Sequence, residues 1–302
     1  MTPEQVLEHR PRSLTQSQRE RYFEDGFLIL EGFIPEEWVT KLREATDALI
    51  ERSRQIDTSD AIWDLEAGHT RDNPRLRRVS NPVEQHPIFW EYVSESFLGD
   101  VVADLVGPHV KFHHSKLNFK WAKGGTEVKW HQDIPFWPHT NYSPLTVGTY
   151  LYDCDDDQGP VGFVPGSHEG PIYDHYGDDG KWRGCLSETD AASIDTSTAA
   201  YAVGPPGSIT IHNCRTIHGS QPNYSNIGRP LPLFALSSAD AFPYTVNPIR
   251  SKYDQSIIRG HAAREAHHDP RPCQVPPDWS GGYSSIFALQ QQDEARAAGG
   301  MM

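Results

Sequence analysis

The chain has 302 residues, 37% apolar and 23% charged, with a formal net charge of −14 and a sequence pI near 5.5. That length can bury a substantial core, and that composition belongs to folded rather than disordered chains. The acidic balance argues against nucleic acid or an anionic membrane as the main partner, because both carry negative charge. The N-terminus is polar and carries no apolar segment of the secretory kind, and no apolar run reaches the length of a membrane span. Four scattered cysteines, Cys154, Cys185, Cys214 and Cys273, include no CxxC pair. A reduced, cytoplasmic protein acting on a small molecule is expected, with a homo-oligomer left open.

Thr15-Gln-Ser-Gln18 has capping-box spacing and predicts a helix to about Asp25, ended by Gly26. Phe27–Leu30 reads as a short buried strand. Pro35, Glu36 and Glu37 suit a helix N-terminus. Val39, Leu42, Ala45, Leu49 and Ile50 then recur at helical spacing, so 35–53 is predicted as an amphipathic helix. A second helical region is predicted from about Pro87 to Val106, with Phe89, Val93, Phe97, Val101 and Leu105 on one stripe. From Val110 the texture changes to short alternating segments such as VKFHHSKLNFKW, LTVGTYLYD, GFVPG, GSITIHN and LPLFALSSA. Such text predicts an antiparallel sandwich or barrel. The expected architecture is mainly β with flanking helices in one domain over 1–302. Its core covers about 14–245, and 246–302 form irregular cover ending in a disordered AAGGMM tail.

Within KWHQDIPFW, His131 and Asp133 stand two residues apart. On a strand they share a face and converge on one point, which could be a hydrogen-bonded neighbour, water or a cation. A metal needs a third ligand. Of fifteen histidines, His69, His86, His139, His261, His267 and His268 fall in loop-like polar text, where exposure is expected. His113 and His114 are adjacent and would face opposite sides of a strand. His168, in VPGSH, suits the organising of a turn. His212 and His218 remain, and His218 precedes the small pair Gly219-Ser220, which would leave space beside its imidazole. Two histidines and a carboxylate are the facial set of non-haem iron(II) oxygenases, with positions left open. Structural zinc would call for thiolates, and a zinc deaminase for P-C-x-x-C, which is absent. The acidic run Asp153–Asp157 lacks EF-hand spacing and reads as a solvated loop.

In order along the chain, YFEDGFLILEGFIPEE, WHQD, GPVGFVPGSH and IHGSQPNYSNIGR resemble the phytanoyl-CoA dioxygenase (PhyH) family of iron(II)/2-oxoglutarate-dependent oxygenases, from about Leu14 to Phe242. The resemblance implies a double-stranded β-helix (jelly-roll) core, Fe(II) held by His131, Asp133 and His218, 2-oxoglutarate as cosubstrate, and O2. It places Arg229, about ten residues beyond the distal histidine, and Ser220 on the far carboxylate of 2-oxoglutarate. A buried dicarboxylate is best met by a bidentate guanidinium, whereas spacing alone would make Arg229 a surface turn residue. Lys116, Asn118 and Lys120 alternate with Leu117, Phe119 and Trp121, one polar face and one apolar. Solvent against core explains that pattern, but the family lines its cosubstrate pocket with this strand. Lys116 and Asn118 thereby become candidate contacts, with Lys120 at the rim. Arg78, in RLRRVSNP, falls on a strand that carries a basic cosubstrate contact in the family; its alternative is a surface arginine.

Phe136, Trp137 and Tyr152 are candidates for a substrate wall or for core, and Gln132 should point away from the metal. The carboxylate at Asp133 argues for oxygenation, since family halogenases carry a small residue there. The implied reaction hydroxylates, or otherwise oxidises, an unactivated C–H bond and releases succinate and CO2. A cupin-like metal enzyme would have no use for Arg229 and Ser220. A non-catalytic jelly-roll binding module would have no need of all three metal ligands.

Overall fold

The computed structural model describes residues 1–283 and 285–290; the predicted AAGGMM tail lies outside them. The chain runs through α1 (Pro3–Glu8), α2 (Gln16–Asp25), β1 (Phe27–Leu30), α3 (Glu36–Ser53), β2 (Trp63–Leu65), β3 (Leu76–Ser80), α4 (Pro82–Gln85), α5 (Pro87–Glu95) and α6 (Leu98–Val106). There follow β4 (Val110–Lys120), β5 (Val128–His131), β6 (Leu145–Thr149), β7 (Val161–Phe163), α7 (Glu188–Ser193), β8 (Ala200–Tyr201), β9 (Ile209–Asn213), β10 (His218–Ser220), β11 (Arg229–Ser238) and β12 (Ile257–Arg259). The large sheet has the order β1-β9-β6-β11-β4-β3-β2, with β12 also on β4, and the small sheet has the order β5-β10-β7-β8. Every pairing is antiparallel. The fold is a jelly roll, mainly β with flanking helices.

The two faces of the large sheet follow from strand alternation. Leu117 and Phe119 of β4, Phe234 and Leu236 of β11, Val147 of β6 and Ile211 of β9 join one core with Val39, Leu42 and Leu49 of α3 and with the stripe of α5 and α6. The residues between them, including Lys116, Asn118, Thr146, Thr210, His212, Leu231 and Leu233, line a cavity on the opposite face.

Helix boundaries have local causes. Thr15 and Gln18 form the reciprocal capping box that opens α2, and Gly26, at φ 85°, closes it in the left-handed region that glycine adopts most easily. The helical region expected over Pro87–Val106 is two helices. Ser96 leaves helical geometry, with ψ 176°, donates its hydroxyl to the Tyr92 carbonyl and accepts from the Leu98 N–H at 3.1 Å. One serine thus ends α5 and satisfies an orphan donor of α6. Buried Asp104 of α6 accepts from the backbone N–H groups of Arg12, Ser13 and Leu14, each at 2.8 Å, and so ties the α1–α2 connection to α6. Asp104→Ala is expected to cost about 2–3 kcal/mol, the worth of hydrogen bonds to a charged acceptor less partial rescue by water. Urea unfolding would check it, and an unchanged midpoint would count against this tie.

The C-terminal stretch is less irregular than expected. Ile257 and Arg259 pair with Lys111 and Val110 and so extend the large sheet. Pro248, Ile249, Tyr283, Ile286 and Phe287 then close over the cavity. Among the described residues, no helix is long and apolar enough to cross a membrane.

Candidate active site

His131 and His218 face each other directly across the β5–β10 pairing, with ring centroids 4.1 Å apart. Each ring bonds through Nδ1 to a backbone carbonyl, Lys129 O and Thr216 O, both at 2.9 Å. A carbonyl only accepts, so the proton sits on Nδ1 and Nε2 keeps its lone pair. Asp133 reaches the same point by another route. Strand β5 ends at His131, so strand alternation does not aim the carboxylate. Instead Thr146 Oγ1 donates to Asp133 Oδ2 at 2.9 Å and His212 Nε2 meets the same oxygen at 3.3 Å, which leaves Oδ1 for a ligand. Potential ligand atoms of His131, Asp133 and His218 lie within 4.8 Å of one another, the only such group among the described residues.

Burial sets the protonation states. It depresses His131 to about 4 and His218 well below its ordinary range, so both rings are neutral at neutral pH. Burial works against the Asp133 carboxylate, but Lys116 and His212 outweigh it and hold the group well below the usual range. Two neutral imidazoles and an ionised carboxylate are what a divalent cation requires.

Arg229 pairs with Lys120, Leu231 with Asn118 and Leu233 with Lys116, while β3 sets Arg78 beside Asn118 and Ser80 beside Lys116. Arg229 and Ser220 are both buried at the cavity wall, and the Arg229 Nε and Nη1 atoms have no hydrogen-bond partner among the described residues. A buried guanidinium with free donors is costly unless an anion meets it. Arg78 donates from Nε to Asn118 Oδ1 at 3.0 Å, and its Nη1 is also unpartnered. The donor set and these free nitrogens fit a divalent metal with a dicarboxylate beside it.

A family model described as Phytanoyl-CoA dioxygenase (PhyH) matches residues 22–231. The chain belongs to the PhyH family. It is 29% identical over 276 residues to the probable alpha-ketoglutarate-dependent hypophosphite dioxygenase of Stutzerimonas stutzeri, covering 91% of this chain and 96% of that one. The ectoine dioxygenase of Sphingopyxis alaskensis is 25% identical over 68% of this chain and 70% of its own length. The crystal structure of EctD from S. alaskensis with 2-oxoglutarate and 5-hydroxyectoine shares the fold at TM-score 0.65 and 21% identity, over 88% of this chain and 92% of that one. This PhyH protein is an iron(II)- and 2-oxoglutarate-dependent dioxygenase.

Other residues of this PhyH site fall differently from their sequence expectations. Lys120 is buried rather than at the rim; its ammonium donates to the carbonyls of Thr126 at 2.9 Å, Ser220 at 3.2 Å and Gln221. Burial pushes its pKa well down, while three acceptors match the three N–H donors of the charged form. Phe136 and Trp137 line the cavity. Tyr152 does not, for it lies beyond the end of β6 with Arg43 over its ring at 5.0 Å. Tyr150 is the tyrosine beside Arg229, at 5.9 Å. Gln132 turns away as expected and donates to Pro171 O and Arg215 O.

Gly219 lines the cavity beside His218, as expected, and also packs tightly on the neighbouring strand. A Cβ there would meet the Val128 carbonyl at 2.9 Å, so the glycine serves close strand packing. Residues that the sequence reading passed over include Thr146, which carries no motif, and His175, whose Nε2 accepts from the Gln132 N–H at 3.1 Å. His212 stood as the alternative third ligand and instead backs Asp133.

His113 and His114 do meet, at 2.7 Å between their Nδ1 atoms. The register shift opposite Ala235 and Leu236 makes His113 an extra residue in β4 and breaks alternation. His139, expected on the surface, is buried, with its ring 4.9 Å from that of His113. Burial, then Lys111, holds His113 down to about 3, and burial also drives His114 and His139 well below their ordinary range. The unfolded chain therefore binds more protons than the native one below about pH 6.5, the free histidine value. Stability is complete above that pH and falls as pH drops towards the folded values, by up to about 1.4 kcal/mol per pH unit for each ring. Thermal melts of the metal-free protein from pH 7.5 to 5 should show a declining Tm; a flat profile would contradict neutral burial of these rings.

Proposed function

We propose that the chain hydroxylates a small-molecule substrate at an unactivated bond to hydrogen, with His131, Asp133 and His218 holding the iron and Arg229 and Ser220 binding the far carboxylate of 2-oxoglutarate. Residues 1–302 act as one catalytic domain in this reading. The bound iron and cosubstrate supply O2 activation, with 2-oxoglutarate leaving as succinate and CO2. The protein positions and excludes. Thr146 and His212 fix the carboxylate of Asp133, the two backbone carbonyls fix both ring tautomers, and Phe136, Trp137 and the C-terminal residues keep bulk water from the reacting atoms. Asn118 extends the cosubstrate wall towards the metal.

The observation that carries this reading is Arg229, whose two unpartnered nitrogens are buried in the cavity that also holds the His–Asp–His group. A cupin-like enzyme without a dicarboxylate cosubstrate would carry a buried, unsatisfied guanidinium for no return. Four free cysteines, two of them buried, suit a reducing compartment, and we place the enzyme in the cytoplasm with a small molecule rather than nucleic acid or membrane as its partner. The test is anaerobic addition of Fe(II) and then 2-oxoglutarate. A weak visible charge-transfer band on adding 2-oxoglutarate, as chelation at a facial iron site with open positions would give, supports the reading. Iron binding without the band would favour the cupin-like alternative.

A further inference from the structure

We infer that the β3 side of the cavity is built to hold a small anionic substrate, an oxyanion gripped by Arg78 and Lys116. This rests on the dioxygenase reading above and names its substrate class. Among the described residues the cavity-lining cations are Arg78, Lys116, Lys120 and Arg229, and the one cavity-lining carboxylate is Asp133. A divalent iron, the Asp133 carboxylate and a 2-oxoglutarate dianion leave one net negative charge, which Arg229 cancels. Lys120 is turned onto three backbone carbonyls. Those neutral carbonyls satisfy its donors without cancelling its charge, so Arg78 and Lys116 are the cations left to face a ligand, in a protein whose net charge is −14. Unneutralised, they are expensive to bury.

Position separates them from the cosubstrate arginine. Arg229 sits on β11 and Arg78 on β3, on opposite sides of β4, so their backbones stand about 10 Å apart at ordinary strand spacing. Leu231 and Leu233 of β11 line the cavity beside Arg229, so the cosubstrate's far carboxylate would be met on the β11 side while Arg78 stands on the β3 side. Arg78 is prepared for a second ligand. It is 1% exposed, is held through Nε by Asn118, has the Phe287 ring 5.6 Å from its guanidinium carbon, and keeps Nη1 free. An arginine fixed in that way presents a ready donor to an oxyanion. Tyr283 and Phe287 also line this cavity, from the C-terminal stretch, and limit the ligand to a compact one. This inference gives Arg78 and Lys116 to the substrate in place of the cosubstrate contacts expected of them from the sequence.

The chemistry admits a phosphorus oxyacid or a carboxylate, and the test separates them. The anaerobic iron(II)–2-oxoglutarate complex of the full chain is titrated with hypophosphite, with n-butyrate and with neutral n-butanol, following the visible band and the heat of binding. One anion should bind saturably and n-butanol should not. Hypophosphite alone would identify the phosphorus class, and butyrate alone the carboxylate class. Arg78→Gln and, independently, Lys116→Gln should each weaken that anion about tenfold or more, and Arg78→Gln should leave 2-oxoglutarate affinity within about twofold. The inference is overturned if neither anion binds although the band forms, or if Arg78→Gln weakens 2-oxoglutarate and leaves the anion unaffected. Failure of the band in the unaltered protein would overturn the cosubstrate assignment itself, a distinguishable result.

Discussion

Arg229→Ala should raise the dissociation constant for 2-oxoglutarate about 100-fold or more while leaving iron affinity in place. The size follows from what the truncation leaves behind. The far carboxylate of the cosubstrate would enter a wall formed by Leu231, Leu233 and Val161 with its charged partner gone, and breaking a buried pair costs about 3–5 kcal/mol. Ser220 alone supplies one neutral donor. Arg229→Lys should recover only part of the loss, because an ammonium cannot present the paired, planar donors of a guanidinium. A second readout runs in the opposite direction. In the absence of ligands Arg229 is a buried cation with two unsatisfied nitrogens, so Arg229→Met should leave the Tm of the ligand-free protein unchanged or raise it. Stabilisation by 2-oxoglutarate should vanish in the same variant. Calorimetry for affinity and thermal melts with and without 2-oxoglutarate measure both effects. A merely structural arginine would give the reverse pattern, lower stability and unchanged cosubstrate affinity.

Much of this site was legible because strands write one face at every second residue. Lys116, Asn118 and Lys120 alternate with Leu117 and Phe119 in the sequence, and the fold puts the first set on the cavity and the second in the core. The ordered motifs likewise pointed to His131, Asp133, His218 and Arg229, which the fold brings to one cavity. What stayed hidden depends on departures from periodicity or on contacts distant in sequence. The extra residue at His113 reverses the expected separation of His113 and His114, and nothing in VKFHHSKLNFKW announces it. Asp133 lies past the end of β5 and is aimed by Thr146 and His212, which belong to β6 and β9. Lys120 obeys alternation, yet its burial depends on the carbonyls of Thr126, Ser220 and Gln221. Tyr152 follows the end of β6, so its strand-like spacing carried no information. The aromatic lining from Tyr283 and Phe287 lies in a Pro- and His-rich stretch with no period to read.

His131→Ala and Asp133→Ala should each lower iron affinity about 100-fold or more and abolish succinate release, with the metal-free fold retained. Each substitution removes one of the three proposed ligands, and backing interactions alone already account for about 10–100-fold in sites of this kind. The expected readout is loss of the iron-dependent rise in Tm, which reports binding without reference to turnover. The two variants should nevertheless differ. His131→Ala removes a ring whose Nδ1 bond to Lys129 O is local, and the rest of the group stays in place. Asp133→Ala frees His212, whose ring lies 4.2 Å from that of His218 and whose Nε2 loses its carboxylate partner. That ring is placed to face a metal from the side Asp133 vacates, giving three imidazoles in place of two and a carboxylate. Residual binding in Asp133→Ala that disappears in Asp133→Ala/His212→Ala would show His212 taking the open position. Equal and complete loss in both would confine His212 to its hydrogen bond with Asp133, and full retention of iron in His131→Ala would remove the metal centre from this cavity altogether.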